Sequence, residues 1–171
     1  MMNRWFLQAL WALLFLSFTA CVSTGSVAVQ EPLTKPFMVD RAAVVVAPGT
    51  ANAEAIKAIF EVQLLDAKVV EKLADDGARI ELAVASLDEG SKAARTFRMG
   101  GEAEIVVDVV VKDAAGNVLS RVAVTGNSAR KSEVMVAGVS EAVADNLVNR
   151  AIKAAAAELV VYLQKPAGAG D

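Results

Sequence analysis

Gly101 to Lys112 alternates for twelve residues, and few sequence patterns leave a chain less freedom. Ala103, Ile105, Val107, Val109 and Val111 fall on one side; Glu102, Glu104, Val106, Asp108, Val110 and Lys112 fall on the other. A period of two over this length is a strand with one face buried, and no helix can gather those residues on one side. Asp113-Ala114-Ala115-Gly116-Asn117 follows, with Gly116 suited to the positive φ that a tight turn needs. Val118 to Gly126 then returns as the partner strand. The domain is therefore built on an antiparallel hairpin.

The chain before the hairpin supplies a strand, a helix and a strand. Phe37 to Ala47 holds Val44-Val45-Val46 and stops at Pro48-Gly49. Apolar residues on both sides of it suggest a central strand covered on both faces or nearly so. Thr50 or Asn52 can cap the next element, and Glu54 favours a helix N-terminus. Ile56, Ile59, Phe60, Leu64, Ala67, Val70 and Leu73 recur at helical spacing, which predicts one helix over 53–75 closed by Gly77 in the left-handed conformation. Val62, Leu65 and Val69 broaden its apolar face. Ala78 to Leu87 alternates again, with Ile80, Leu82 and Val84 inward. Strand, helix and strand in this order make parallel strands with a right-handed crossover the default.

Asp88 to Gly100 breaks every period and reads as a long loop, as does Asn127 to Met135. Val139 to Leu163 is the second helix, with Val143, Leu147, Ala151, Ala154, Glu158 and Tyr162 on one side, Val148, Ile152, Ala155 and Leu159 broadening it, and an Ala-rich middle that allows close packing. The expected fold is α/β (α+β): a two-layer sandwich of a mixed four-stranded sheet with two long helices on one face, in the order β-α-β-β-β-α. It spans 37–164, and 165–171 is a disordered tail.

Composition narrows the function. The formal net charge is −3, too mildly acidic for a nucleic-acid partner. There is no histidine, which removes the commonest general base and metal ligand. Cys21 is the only cysteine, so no disulfide framework is available. No cofactor, metal site or catalytic residue is expected.

The N-terminus locates the protein. Met1 to Arg4 carries one positive charge, Trp5 to Phe18 is apolar apart from Gln8 and Ser17, and Phe18-Thr19-Ala20-Cys21 is a small-residue exit. This is the pattern of a secretory signal peptide over 1–20. The exit resembles the lipobox of bacterial lipoproteins, with Phe18 where Leu is usual. The resemblance implies cleavage before Cys21 and acylation of its thiol, so that the lipid bilayer is the first partner. Val22, rather than Asp, after that Cys resembles lipoproteins sent to the outer membrane and facing the periplasm; in a single-membrane cell the same anchor holds the outer leaflet. The alternative is an uncleaved membrane helix, but a span needs about 20 apolar residues and the strongly apolar stretch stops near Thr19. Residues 21–36, with Ser, Thr and Gly and then Pro32 and Pro36, read as the lipidated Cys and a flexible tether that lets the domain stand off the bilayer.

Gly90, Arg95, Gly100-Gly101 and a Gly116-bearing hairpin behind an apolar strand resemble a family of small bacterial lipoproteins. That resemblance implies an envelope lipoprotein with no assigned chemistry.

Four motifs invite a sharper reading. Ser128-Ala129-Arg130-Lys131 fits S-x-x-K, but the S-D-N and K-T-G elements that complete such a site are missing. Glu102 and Glu104 lie about 6.5–7 Å apart on a strand face, near the spacing of an inverting glycosidase pair, although such pairs come from separate elements. With Asp108 they could meet a cation, but match no known loop. Arg95 and Arg98 could contact an anion, or pair with Glu102 or Glu104 to pin the loop. The sheet face bearing Glu102, Glu104, Asp108 and Arg121 is wet or an interface. The preferred function is a membrane-anchored, non-catalytic binding or assembly module of the envelope that meets other envelope proteins. The alternatives are a tethered carboxylate-dependent hydrolase of cell-wall or carbohydrate substrates, and a structural subunit of a larger envelope complex.

Overall fold

A computed structural model describes residues 25–90, 102–128 and 144–165. Among the described residues six strands form one sheet: β1 (Gly25–Glu31), β2 (Val39–Val46), β3 (Val70–Leu73), β4 (Ala78–Asp88), β5 (Glu104–Lys112) and β6 (Val118–Asn127). Two helices, α1 (Ala53–Asp66) and α2 (Ala144–Gln164), pack on one side of it and against each other. The strand order is β1-β6-β5-β4-β2-β3.

The hairpin forms as its pattern requires. β5 and β6 pair antiparallel, with Val107 opposite Val124 and Val109 opposite Val122. Ile105, Val107, Val109 and Val111 are buried toward the helices. Gly116 adopts φ 88° in the turn. β4 adds antiparallel to β5, and β2 adds parallel to β4, as a strand–helix–strand unit does by default.

The sheet has six strands where four were expected, and both additions correct the reading of a segment. Gly25–Glu31, assigned to the tether, is β1, paired antiparallel with β6 from Gly25↔Gly126 to Glu31↔Arg121. Among the described residues, folded structure therefore begins at residue 25, not at 37. The reason lies downstream: β6 offers an edge that β1 can join while Val27 packs on the core. The second addition is β3, assigned to the continuing first helix. α1 ends at Asp66 because Lys68 turns left-handed, at φ 56°. The Lys68 N–H donates to the Leu65 carbonyl and the Val69 N–H to the Leu64 carbonyl, the paired bonds that close a helix in the Schellman manner. Val70 then enters the sheet opposite Val39.

β3 and β4 flank β2 on opposite sides, both parallel to it, so the chain crosses β2 between Leu73 and Ala78. Gly77 serves that crossing rather than a helix cap: a Cβ there would strike the Arg41 backbone of β2. Asn52 precedes α1 in a left-handed conformation without a side-chain cap bond, and Thr50 turns its hydroxyl to the Ala47 carbonyl instead. β2 is an interior strand, yet it is covered on one face only; Val44 is buried while Val45 is 45% exposed.

The core lies between sheet and helices. Ile56, Phe60 and Leu64 reach it from α1; Ala151, Ile152, Ala155, Leu159 and Leu163 reach it from α2. Small residues let α2 approach closely. At Gly126 of β6 an added Cβ would collide with the Ala151 carbonyl and the Ala155 amide.

Candidate functional site

With both helices on one side, the other face of the sheet has no described helix over it. Cross-strand register arranges it in rows. One row runs Ala28, Ala123, Asp108, Ala83; the next runs Arg121, Val110, Glu81, Val45; a third holds Lys112, Arg79 and Ala43. The face is thus a field of small and β-branched residues carrying isolated charges.

Those charges are partly tied down. Arg79 and Lys112 stand directly opposite each other, a like-charge arrangement that disfavours the pair on its own. Glu81, one pleat along, relieves it: Lys112 Nζ donates to Glu81 Oε1 at 2.7 Å. Arg121 pairs Glu31 of β1 at 3.3 Å. Asp108 is exposed and sits between Ala83 and Ala123. Exposed pairs of this kind contribute about 0–1 kcal/mol each, so they set the pattern of the face more than its stability.

At the end of this face the Asp113–Asn117 turn meets the crossing of β2. Asp75, Asp76, Gly77, Arg79, Glu81, Lys112 and Asp113 to Gly116 line a shallow polar cleft of about 320 Å3. Arg41 pairs Asp76 at 2.6 Å nearby. Asp113 is held below the usual carboxylate range, first by the Asn117 side-chain amide and then by backbone N–H groups of the turn. A second shallow cleft lies between Ala47–Ala51 and the β4 residues Ala83, Val84 and Leu87. The sequence did not join Asp75-Asp76 to Asp113. An antiparallel β4–β5 pairing would have joined them, since the start of β4 must then lie beside the end of β5.

The residues singled out from the sequence fare differently. Glu104, Asp108 and Arg121 are exposed, and all three lie on the open face as expected. Glu102 is exposed but precedes β5, which starts at Glu104. Glu104 and Asp108 are four residues apart on one strand, about 13–14 Å, and neither cleft includes them or Glu102. Glu102 and Glu104 thus stand on adjoining positions of one segment and line neither cleft, whereas a glycosidase pair comes from separate elements flanking one. Cys21, Arg95 and Arg98 lie outside the described residues. Among the described residues, no three His, Cys, Asp or Glu side chains gather where a metal could be held.

Ser128, the first residue of the S-x-x-K match, has a structural place. It is fully buried; its N–H donates to the Ala103 carbonyl at 2.9 Å and its Oγ accepts from the Ala103 N–H at 2.8 Å. The two bonds close the end of the β5–β6 ladder and bury the hydroxyl away from solvent.

Among the described residues no helix is long and apolar enough to cross a membrane. No protein-family model matches the chain, and no curated protein matches it. Solved structures do resemble it. One is PelC from Paraburkholderia phytofirmans, crystallised as a dodecamer: 18% identity, 78% of this chain and 99% of that one, TM-score 0.40. Another is a minor lipoprotein from Acinetobacter baumannii: 13% identity, 75% of this chain and 93% of that one, TM-score 0.49.

Proposed function

We propose that this protein is a lipid-anchored module of the bacterial envelope that works by binding, with the open face of its sheet as the contact surface. The anchor is the thiol of Cys21, behind a signal-peptide pattern and a lipobox-like exit. Three acyl chains, as lipoproteins of this type carry, hold far longer than one, because each buried methylene contributes about 0.8 kcal/mol. Export to the outer membrane, with the domain in the periplasm, follows from Val22 at the position after the Cys.

The observation that carries the binding role is the row Arg121, Val110, Glu81, Val45 beside the row Ala28, Ala123, Asp108, Ala83. Small residues let a partner approach the backbone, and the isolated charges fix its register, the pattern of a polar-rimmed contact surface. Photo-crosslinkers placed at Asp108 and, as a control on the helix layer, at exposed Lys57 test this in intact cells. A discrete protein adduct at 108 and none at 57 is the expected result. Equal, diffuse labelling at both positions would dismiss the open face as a contact surface. Mass spectrometry of the native protein tests the anchor, by a tri-acylated N-terminal Cys21 peptide.

A further inference from the structure

We infer that the folded domain is held directly against the bilayer by the end of the sheet that carries Gly25, Asn127 and Glu104. The inference rests on the acylation of Cys21 proposed above. It follows from where β1 starts. Gly25 is already paired with Gly126, and four peptide units separate it from Cys21. Four residues at full extension reach about 14 Å. A tether running to residue 36 would have let the domain drift several times farther; with β1 folded, that slack is gone.

Pairing fixes what shares this end. β1 starts beside the end of β6, Asn127 lies opposite Glu104, and Glu104 lies opposite Asp88. The Asp113–Asn117 turn is at the other end of β5, about 27 Å along the strand. A rigid body pinned at one corner and excluded from the membrane keeps that corner near the headgroups at every tilt, while its far end samples greater distances. Asp88, Glu89, Glu102 and Glu104 are acidic, while Lys92, Arg95, Arg98, Arg130 and Lys131 lie in the adjoining segments outside the described residues, so the placement rests on reach and not on charge.

The test uses the full mature lipoprotein in phosphatidylethanolamine/phosphatidylglycerol vesicles containing nickel-chelating headgroups. Acylation blocks Cys21, so Glu104→Cys and Ala115→Cys each present a single thiol for a nitroxide; both positions are exposed. Relaxation by headgroup nickel should be roughly tenfold stronger at 104 than at 115, given a reach of about 14 Å against a strand of about 27 Å. A Gly/Ser insert of about twelve residues between Thr24 and Gly25, spanning about 20 Å on average, should erase most of that difference. Equal relaxation at both positions in vesicle-bound protein lacking the insert would overturn the placement and leave the anchor standing. Protein that does not float with vesicles and keeps a reactive Cys21 thiol would remove the anchor, and the placement with it.

Discussion

Tyr162 of α2 and Ser120 of β6 share a hydrogen bond of 2.8 Å between their hydroxyls, 42 residues apart in sequence. Ser120 has one proton, and it goes to the Glu31 carbonyl at 2.7 Å. Tyr162 therefore donates to Ser120, and its oxygen accepts from the Leu33 N–H at 2.9 Å. This chain of three bonds ties the exit of β1 to the helix layer in a buried setting, with Ser120 at 0% exposure. Tyr162→Phe leaves the Leu33 N–H without its acceptor and should cost about 1–3 kcal/mol. Chemical denaturation measures the loss. Exchange of the 25–33 amides should accelerate more than that of the β5 amides, because the lost bond anchors that segment.

These contacts also explain which parts of the fold the sequence could disclose. β4, β5 and β6 bury every second residue against the helices, so Ile80, Val107 and Val124 announce themselves by spacing alone. β1 is short, edges the sheet and is followed by Pro32; its partner Val122, and the Tyr162 that holds Leu33 just beyond it, lie about 90 to 130 residues away, so nothing local marks it as structured. β3 was hidden for a different reason. Val70 and Leu73 happen to continue the helical spacing of Phe60 and Leu64, and the helix stops on a Lys instead of the Gly that usually signals it. The site was legible in part: alternation placed Glu104, Asp108 and Arg121 on the open face, but the Lys112–Glu81 pair and the polar cleft depend on register.

Lys68 holds a conformation that costs a residue with a Cβ about 1–2 kcal/mol. Lys68→Gly relieves that strain, while giving back part of the gain through a freer unfolded chain. The net expectation is a stabilisation of about 0.5–1 kcal/mol, seen as a higher denaturation midpoint with an unchanged slope.

Gly126 is where α2 lies on β6. Its substitution by Ala puts a methyl into the Ala151 carbonyl and the Ala155 amide, both backbone atoms that cannot swing away. Gly126→Ala should destabilise at or above the top of the usual 1–3 kcal/mol range for overpacking. Gly116→Ala is the comparison: no atom lies within 4 Å of an added Cβ there, and only the positive φ of 88° resists it. Thermal unfolding of the two variants should rank Gly126→Ala well below Gly116→Ala.

Ser128→Ala separates a structural hydroxyl from a chemical one. Removing the Oγ leaves the buried Ala103 N–H unpaired, so stability should fall by about 1–3 kcal/mol. A serine-directed fluorophosphonate or β-lactam probe should label neither the wild type nor the variant, since the side chain has no exposure. Covalent labelling at Ser128 in the folded protein would contradict its structural assignment.

The turn itself reports on acid. Asn117 gives Asp113 a side-chain amide at 2.9 Å and its backbone N–H at 2.8 Å, and both favour the carboxylate form. The folded carboxyl therefore titrates below its ordinary 3.8. A depressed folded value means that the contribution to stability is present above the unfolded value, and is lost as pH falls through the folded one. Carboxyl-detected NMR should place the Asp113 midpoint below 3.8, and the Gly116 amide, which donates to the Asp113 carbonyl, should shift with the same midpoint. Asn117→Ala removes the largest cause, so the midpoint should move back up toward 3.8. A midpoint that stays put in that variant would mean that the backbone amides alone hold the carboxylate.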